Sequence, residues 1–322
     1  MKKSLIYSAI VLLFASMACN KTETLVSGDE MIRFAPATES TRALIEDNTD
    51  LQAVTFRVYD YLDNAEYIND QISYDSDAEP NQWVYASETG KTKGYLWKTG
   101  THKLFGYTAS LPALSSNKVT YTATVTASAN QNDLLYSDLV STTAKAWKET
   151  EDNTKTTPVK LNMKHLFAAV SFSVVNNKTA AITMNDVTLP TIQTSYTATI
   201  NYGGTAVAVS YAAAESQSDF ITAETKTDVA LAAGAQMDLL TQTVATPTFF
   251  VVWPQTFAAT TVTVHYTYQE RSYEATISLP EVAWANGKKY EYKLIIGDVD
   301  DILLNFTVKD WETGATEEYV FE

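Results

Sequence analysis

Thr261-Val262-Thr263-Val264-His265-Tyr266-Thr267-Tyr268 alternates polar and apolar side chains without a break. A strand points successive side chains to opposite faces, so Val262, Val264, Tyr266 and Tyr268 share one face and the threonines and His265 the other. That is the pattern of an antiparallel strand with one face on a core and the other toward water. The same period recurs in Val54, Phe56, Val58, in Val119, Tyr121, Ala123, Val125, and in Leu166, Ala168, Val170, Phe172, Val174. It returns near the end in Tyr290, Tyr292, Leu294, Ile296 and in Ile302, Leu304, Phe306, Val308. Turn signals such as Asn201-Tyr202-Gly203-Gly204 and Asn286-Gly287 punctuate the runs. No segment carries a long stripe of helical period. The expectation is an all-β chain built from antiparallel β-sandwiches.

The 322 residues suit two domains of ordinary size. With 45% hydrophobic and 19% charged residues, the bulk of the chain can bury a core. A net charge of −15 repels phosphate backbones, so nucleic acid is not an expected partner. Residues 142–158 are polar and turn-rich, and end in Thr156-Thr157-Pro158. A domain boundary is expected there, dividing the chain into an N-terminal sandwich over 43–157 and a C-terminal sandwich over 158–322.

The first residues read as a targeting segment. Lys2 and Lys3 precede an apolar run from Ile6 to Ala18, which ends at Cys19. The run is shorter than the roughly 20 residues a spanning helix needs. Residues 1–19 are therefore expected to be a lipoprotein signal peptide, with Cys19 as the lipidated residue. The alternative is an ordinary signal peptide with an incidental cysteine, since Ser16 and Met17 depart from the usual lipobox. Cys19 is the one cysteine of the chain, so no disulfide can staple the rest. Residues 20–42 form a polar tether followed by a short strand.

Several stretches together resemble the fimbrillins, subunits of the type V pili of Bacteroidetes. These are Met31-Ile32-Arg33-Phe34 with Ser40-Thr41-Arg42-Ala43, then Asp133-Leu134-Leu135-Tyr136, then the run from Val159 through His165-Leu166-Phe167 to Phe172. Trp253-Pro254-Gln255, Asn286-Gly287-Lys288-Lys289-Tyr290-Glu291-Tyr292 and Asp310-Trp311-Glu312 complete the set. The resemblance implies two transthyretin-like β-sandwich domains in tandem. It also implies export as a lipoprotein whose precursor is held at the outer membrane, a cell-surface location in a fimbria, and assembly with other pilus subunits by strand exchange.

On these residues the implied mechanism runs as follows. Glu30 to Ala35 is a short strand with Ile32 and Phe34 on one face, and it fills a groove in the first domain. An Arg-specific protease cuts between Arg42 and Ala43, in a Thr/Ser/Glu-rich loop. The leader strand then leaves. Two to four buried side chains at about 1.5–3 kcal/mol each are left without their burial, and a neighbour's strand can recover it. By analogy the donor is the C-terminal end. The candidates are Thr316 to Glu322, where Tyr319 and Phe321 share a face, and Ile302 to Val308. Head-to-tail addition does not close, so it gives a filament. The structural alternative for Arg42 is a solvated loop arginine, and for the C-terminal strand an ordinary sheet edge.

No constellation points to an enzyme. The three histidines, His102, His165 and His265, show no zinc spacing, and His165 reads as a packing residue. Asp75, Asp77 and Glu79 alternate as a calcium loop begins, but the glycine and closing glutamate are missing. No nucleophile elbow, zincin motif or phosphate loop occurs, and no cofactor or metal is expected. The tryptophans could stack on sugars, though those near strand ends, Trp97, Trp253, Trp284 and Trp311, are more often packed at edges. The alternative function is a surface-lipoprotein adhesin that binds a glycan or host protein and does not polymerise.

Overall fold

The computed structural model describes residues 31–37, 48–78, 82–86, 94–125, 133–144, 158–189, 192–214, 228–241, 243–297, 302–310 and 316–321. The chain opens with β1 (Phe34–Ala37), a short helix α1 (Asn48–Gln52), β2 (Phe56–Leu62), β3 (Ala65–Tyr74), β4 (Trp83–Tyr85) and β5 (Gly100–Thr108). Next come β6 (Lys118–Thr124), β7 (Leu135–Ser137), β8 (Val140–Ala144), β9 (Val159–His165), β10 (Ala168–Asn176), β11 (Ile182–Thr188) and β12 (Ser195–Asn201). Then follow β13 (Ala208–Ala213), β14 (Val229–Leu231), β15 (Gln236–Asp238), β16 (Phe250–Val252), β17 (Gln255–Phe257) and β18 (Thr260–Tyr268). The last are β19 (Arg271–Leu279), β20 (Val282–Trp284), β21 (Lys288–Ile296), β22 (Ile302–Asp310) and β23 (Thr316–Phe321). The all-β expectation holds.

The N-terminal sheet runs β1-β9-β7-β5-β2-β3-β4, with β8 also on β5. A second sheet runs β15-β10-β21-β22-β23, with β16 also on β10, and a third runs β14-β11-β18-β19. Two smaller sheets, β13-β12-β6 and β17-β20, complete the set. Most pairs are antiparallel, but β1–β9 and β10–β21 are parallel. Three hairpin loops are two residues long with both residues left-handed: Asp63-Asn64, Ser116-Asn117 and Gln269-Glu270. This turn geometry matches the right-handed twist of the strands it joins, and here it is reached without glycine.

The alternation predicts burial well on β18 and β21. Val262, Val264 and Tyr266 are buried, as are Tyr290, Tyr292, Leu294 and Ile296. The run at 166–174 differs from expectation. A turn at Leu166-Phe167 separates β9 from β10, and Ser171 and Ser173 on β10 are buried with their apolar neighbours. β10 lies inside its sheet, so this face is covered rather than wet, and the amide of Gln236 donates to the Ser173 hydroxyl (3.0 Å).

Pairings cross the line expected at 157/158. β9, the first strand beyond it, belongs to the N-terminal sheet, and β6 from the first half pairs with β12 from the second. Loop-like composition at 142–158 signals a connection, but it cannot say that the strands on either side, β8 and β9, sit in one sheet. The larger core is also continuous across the line. Phe105 of β5 stacks on Tyr202, just after β12, at 3.9 Å between ring centres, and the same cluster reaches Phe306 of β22.

Candidate functional site

A second, smaller core lies on the other face of the N-terminal sheet. Phe56 and Val58 of β2, Ile68 and Ile72 of β3, Leu104 of β5, and Leu161 and Met163 of β9 all contribute. Ile32 and Phe34 sit in its middle, 0% and 2% exposed. The leader strand is therefore an integral part of a hydrophobic core rather than a ribbon lying on the surface.

Two walls hold this strand. On one side β1 runs parallel to β9, with Phe34 opposite Val159 and Pro36 opposite Leu161. The Val159 N–H donates to the Arg33 carbonyl (2.7 Å). Bonding to one neighbour alternates along a strand, so Ala35 and Ala37 face β9 and the imide nitrogen of Pro36 faces away, where its missing N–H costs nothing. On the other side the Ile32 N–H donates to the Tyr95 carbonyl (2.7 Å), and Met31 bridges to Leu96. The Tyr85 hydroxyl donates to the Ile32 carbonyl (2.6 Å), and its ring meets Phe34 edge-on at 6.2 Å. The Arg33 guanidinium lies 5.9 Å from the centre of the Tyr85 ring. Leu51 of α1 is buried in the same core.

The expected strand over Glu30–Ala35 is thus realised with a shift. Residues 31–32 bond to the 95–96 side, and the ladder with β9 begins at Phe34 and runs to Ala37. Glu30 lies outside the described residues, as do Cys19, Arg42 and Ala43.

At the other end of the chain, β23 pairs antiparallel with β22 over Thr316 to Phe321. Tyr319 is in register with Phe306 and Phe321 with Leu304. β23 is the edge of its sheet, while β22 lies between β21 and β23, with Leu304 and Phe306 in the core. Of the two donor candidates, β23 can leave by breaking one ladder, whereas β22 would have to break two and vacate the core.

Histidines that the sequence leaves without partners are paired with acids. His165 Nδ1 meets the carboxylate of Asp133 (2.7 Å), and His102 Nδ1 meets that of Asp60, both pairs being buried. Half-buried His265 lies between Asp186 (3.4 Å) and Glu274 (3.6 Å) on neighbouring strands. Neither buried pair is visible in sequence, because each joins residues more than thirty positions apart. Among the described residues no three metal-ligating side chains converge on one point. Asp75 and Asp77 form a local turn, with the Asp77 N–H donating to the Asp75 carboxylate (3.0 Å). Trp97, Trp253 and Trp284 are core residues and offer no exposed face for a sugar.

Four of the motif stretches meet in space. Leu135 pairs with His165, the Leu166 N–H donates to the Leu134 carbonyl, and the Gly287 N–H donates to the Phe167 carbonyl. The Asn286 amide donates to the Tyr136 hydroxyl (3.1 Å) and to the His165 carbonyl (3.2 Å). Trp253 packs on Phe167 at 4.7 Å and donates from Nε1 to the Ala123 carbonyl of β6. Gln255 donates to the carbonyls of Gln193 and Trp253.

The fold is similar to that of a fimbrial protein from Bacteroides vulgatus, at 15% identity and a TM-score of 0.50, over 88% of this chain and 99% of that one. A proposed cell adhesion protein from Bacteroides ovatus is 14% identical with a TM-score of 0.49, over 88% of this chain and 98% of that one. One from Bacteroides uniformis is 16% identical with a TM-score of 0.48, over 87% of this chain and 99% of that one. No curated protein matches the chain. The family described as fimbrillin-like matches residues 38–311, most of the chain, and the protein belongs to that family.

Proposed function

We propose that this chain is a structural subunit of a bacterial surface fimbria, stored as a lipid-anchored precursor and released for assembly by proteolysis. Lipid on Cys19 holds the precursor at the outer membrane. An Arg-specific protease cuts Arg42-Ala43, and the strand carrying Ile32 and Phe34 then leaves its groove. A second copy, or a related subunit, donates its C-terminal strand, with Tyr319 and Phe321 entering the vacated sites. The body that remains is read as two transthyretin-like sandwiches in tandem, with a structural rather than a catalytic role.

The observation that carries this reading is the burial of Ile32 and Phe34 in a core of their own, between two hydrogen-bonding walls. A strand that is connected to the rest through the expected cut site, yet fills core space, is a plug that one proteolytic event can free. Full burial of these two side chains stabilises the plugged state by about 3–6 kcal/mol. That is enough to hold the strand in the precursor and to draw a replacement afterward. Backbone groups freed on β9 add to the pull. The electrostatics change little on maturation. Residues 1–42 carry five basic and four acidic residues, so the strong negative charge persists and apolar burial must drive assembly.

The test is to treat purified precursor briefly with trypsin and run it unheated on a gel. Ladders that form only after the cut, and vanish when Tyr319 and Phe321 are deleted, support the reading. A product that is trimmed at Arg42 yet stays monomeric at high concentration points to the non-polymerising adhesin.

A further inference from the structure

We propose that residues 94–98, clamped by a charged His102, form the second wall of the groove and act as a proton-sensitive latch on whichever strand occupies it. The inference rests on the removable-strand reading above and names how that groove is regulated.

This strap makes the contacts opposite β9. Its Tyr95 carbonyl accepts from Ile32, and its Leu96 bridges to Met31. Side chains tie it to the sheet. The Tyr67 hydroxyl donates to the Leu96 carbonyl (2.7 Å), and the Tyr95 hydroxyl donates to the Asp70 carboxylate (3.3 Å). The third tie is His102, whose Nε2 lies 2.9 Å from the Lys98 carbonyl while its Nδ1 meets the Asp60 carboxylate. Trp97 packs edge-on against the same ring, 4.9 Å between centres.

The chemistry of the partners sets the charge on the ring. A carbonyl can only accept, and an ionised carboxylate can only accept. With Asp60 ionised, neither partner can donate, so both ring nitrogens carry hydrogen and His102 is an imidazolium. It is fully buried, and so is Asp60. Burial alone disfavours the charged ring. The Asp60 hydrogen bond, the Lys98 carbonyl and the negative charges of Asp60 and Asp63 outweigh this and raise its pKa above the ordinary value. The groups that face it are Asp60 on β2, Asp63 in the turn after it, Tyr67 on β3 and Lys98 on the strap, whose ammonium lies over the Tyr67 ring. Tyr67 is itself shifted upward by burial, which favours its protonated, donating form.

The sign follows. A histidine raised in the folded state holds its contribution in full below the ordinary histidine pKa and loses it as pH rises through the raised value. On losing a proton, the ring can no longer donate to both Asp60 and Lys98. The carboxylate is the stronger acceptor, so the neutral ring keeps its hydrogen on Asp60 and the Lys98 carbonyl loses its donor; the wall loosens and the bound strand is released faster.

The test uses precursor cut at Arg42 near neutral pH and then shifted to a series of values from about pH 6 to about pH 10. Release of the leader peptide is followed by mass spectrometry and size exclusion. The wild type should release it at least about tenfold faster at the alkaline end. His102→Gln with Asp60→Asn keeps hydrogen-bonding groups but cannot titrate, so its release rate should be flat across the same range. Tyr67→Phe removes a different tie, and should speed release at every pH while keeping the wild-type slope. Nitrogen NMR should show His102 as a doubly protonated ring at neutral pH. A neutral ring, a flat wild-type profile, or a pH slope that survives in the double variant would overturn the latch while leaving the removable strand intact. A leader that never leaves after a verified cut, even in mild denaturant, would overturn both.

Discussion

Phe34→Ala separates a strand that stores core energy from one that merely decorates the surface. The ring is nearly fully buried, meets Tyr85 edge-on and belongs to a small core with Phe56, Leu104 and Leu161. Truncating a buried Phe to Ala costs about 3–5 kcal/mol, because transfer energy is lost and a cavity is left. About 0.5–1.5 kcal/mol of that is the aromatic pair with Tyr85. The uncut precursor should lose this amount in urea unfolding. The leader-free form, which lacks residue 34, sets the floor that the variant approaches. After cleavage the same loss acts on a bimolecular equilibrium. At 1.4 kcal/mol per factor of ten, the leader peptide should bind about a hundred- to several-thousand-fold more weakly. The measurements are urea midpoints for the precursor pair and a titration of synthetic leader peptide onto the mature form. A precursor carrying Phe34→Ala that unfolds within about 0.5 kcal/mol of wild type would refute the reasoning, since surface substitutions fall in that range.

Three further outcomes follow from other parts of the molecule. The buried carboxylate of Asp238 accepts from the N–H groups of Leu240, Thr241 and Thr248. Asp238→Ala strands these donors and should cost about 2–4 kcal/mol by thermal or urea unfolding, with Asp238→Asn losing less. Gly106→Ala would place a Cβ 3.0 Å from Leu161 Cδ1 and 3.1 Å from the Arg57 carbonyl oxygen. With backbone on one side the clash cannot relax freely, and calorimetry should show a loss of about 1–3 kcal/mol. Lys289 is nearly buried, lies in register with Lys309, and is pushed down to about 8 by burial and then by that neighbouring charge. The unfolded chain therefore binds more protons than the folded one between about pH 8 and about pH 10.5, and this site adds stability as pH rises through that window. Lys289→Met should stabilise near neutral pH, with an advantage that shrinks toward pH 10.

Local period made the strands legible and little else. β18 and β21 show in the sequence because each has one wet face or a long apolar parity, and burial follows that parity. The three-residue strands β4, β7, β14, β15, β16, β17 and β20 are too short to carry a period. Pairing is a matter of which distant segments meet. The parallel contacts β1–β9 and β10–β21 and the β6–β12 bridge therefore had no local signal. The site divides the same way. Ile32 and Phe34 stood out because they share parity before a polar loop. Tyr85, the strap at 94–98 and the Asp60–His102 pair did not, because each owes its role to a long-range contact.

The convergence of the motif stretches bears on how a vacated groove could wait for its next strand. An apolar cleft stripped of its filler tends to collapse unless its walls are fixed from outside. β9 is fixed from the side away from β1. β7 pairs with its far end through Leu135 and His165, Asp133 holds the His165 ring, and Asn286 donates to the His165 carbonyl. Phe167, just beyond, is pinned by Gly287 and by Trp253, which in turn reaches β6. None of these contacts involves residues 31–37, so removing the leader leaves them standing. Asp133, His165, Trp253 and Asn286, all from the stretches that mark the family, thus do their work next to the groove rather than in it. They brace the strand whose edge β1 covers, and on the removable-strand proposal they would preserve the shape of the site and the burial that a second strand could recover. Asp133→Ala should consequently weaken leader rebinding to the mature form while touching no groove residue. If rebinding were unchanged in a variant that still folds, the bracing argument would fail.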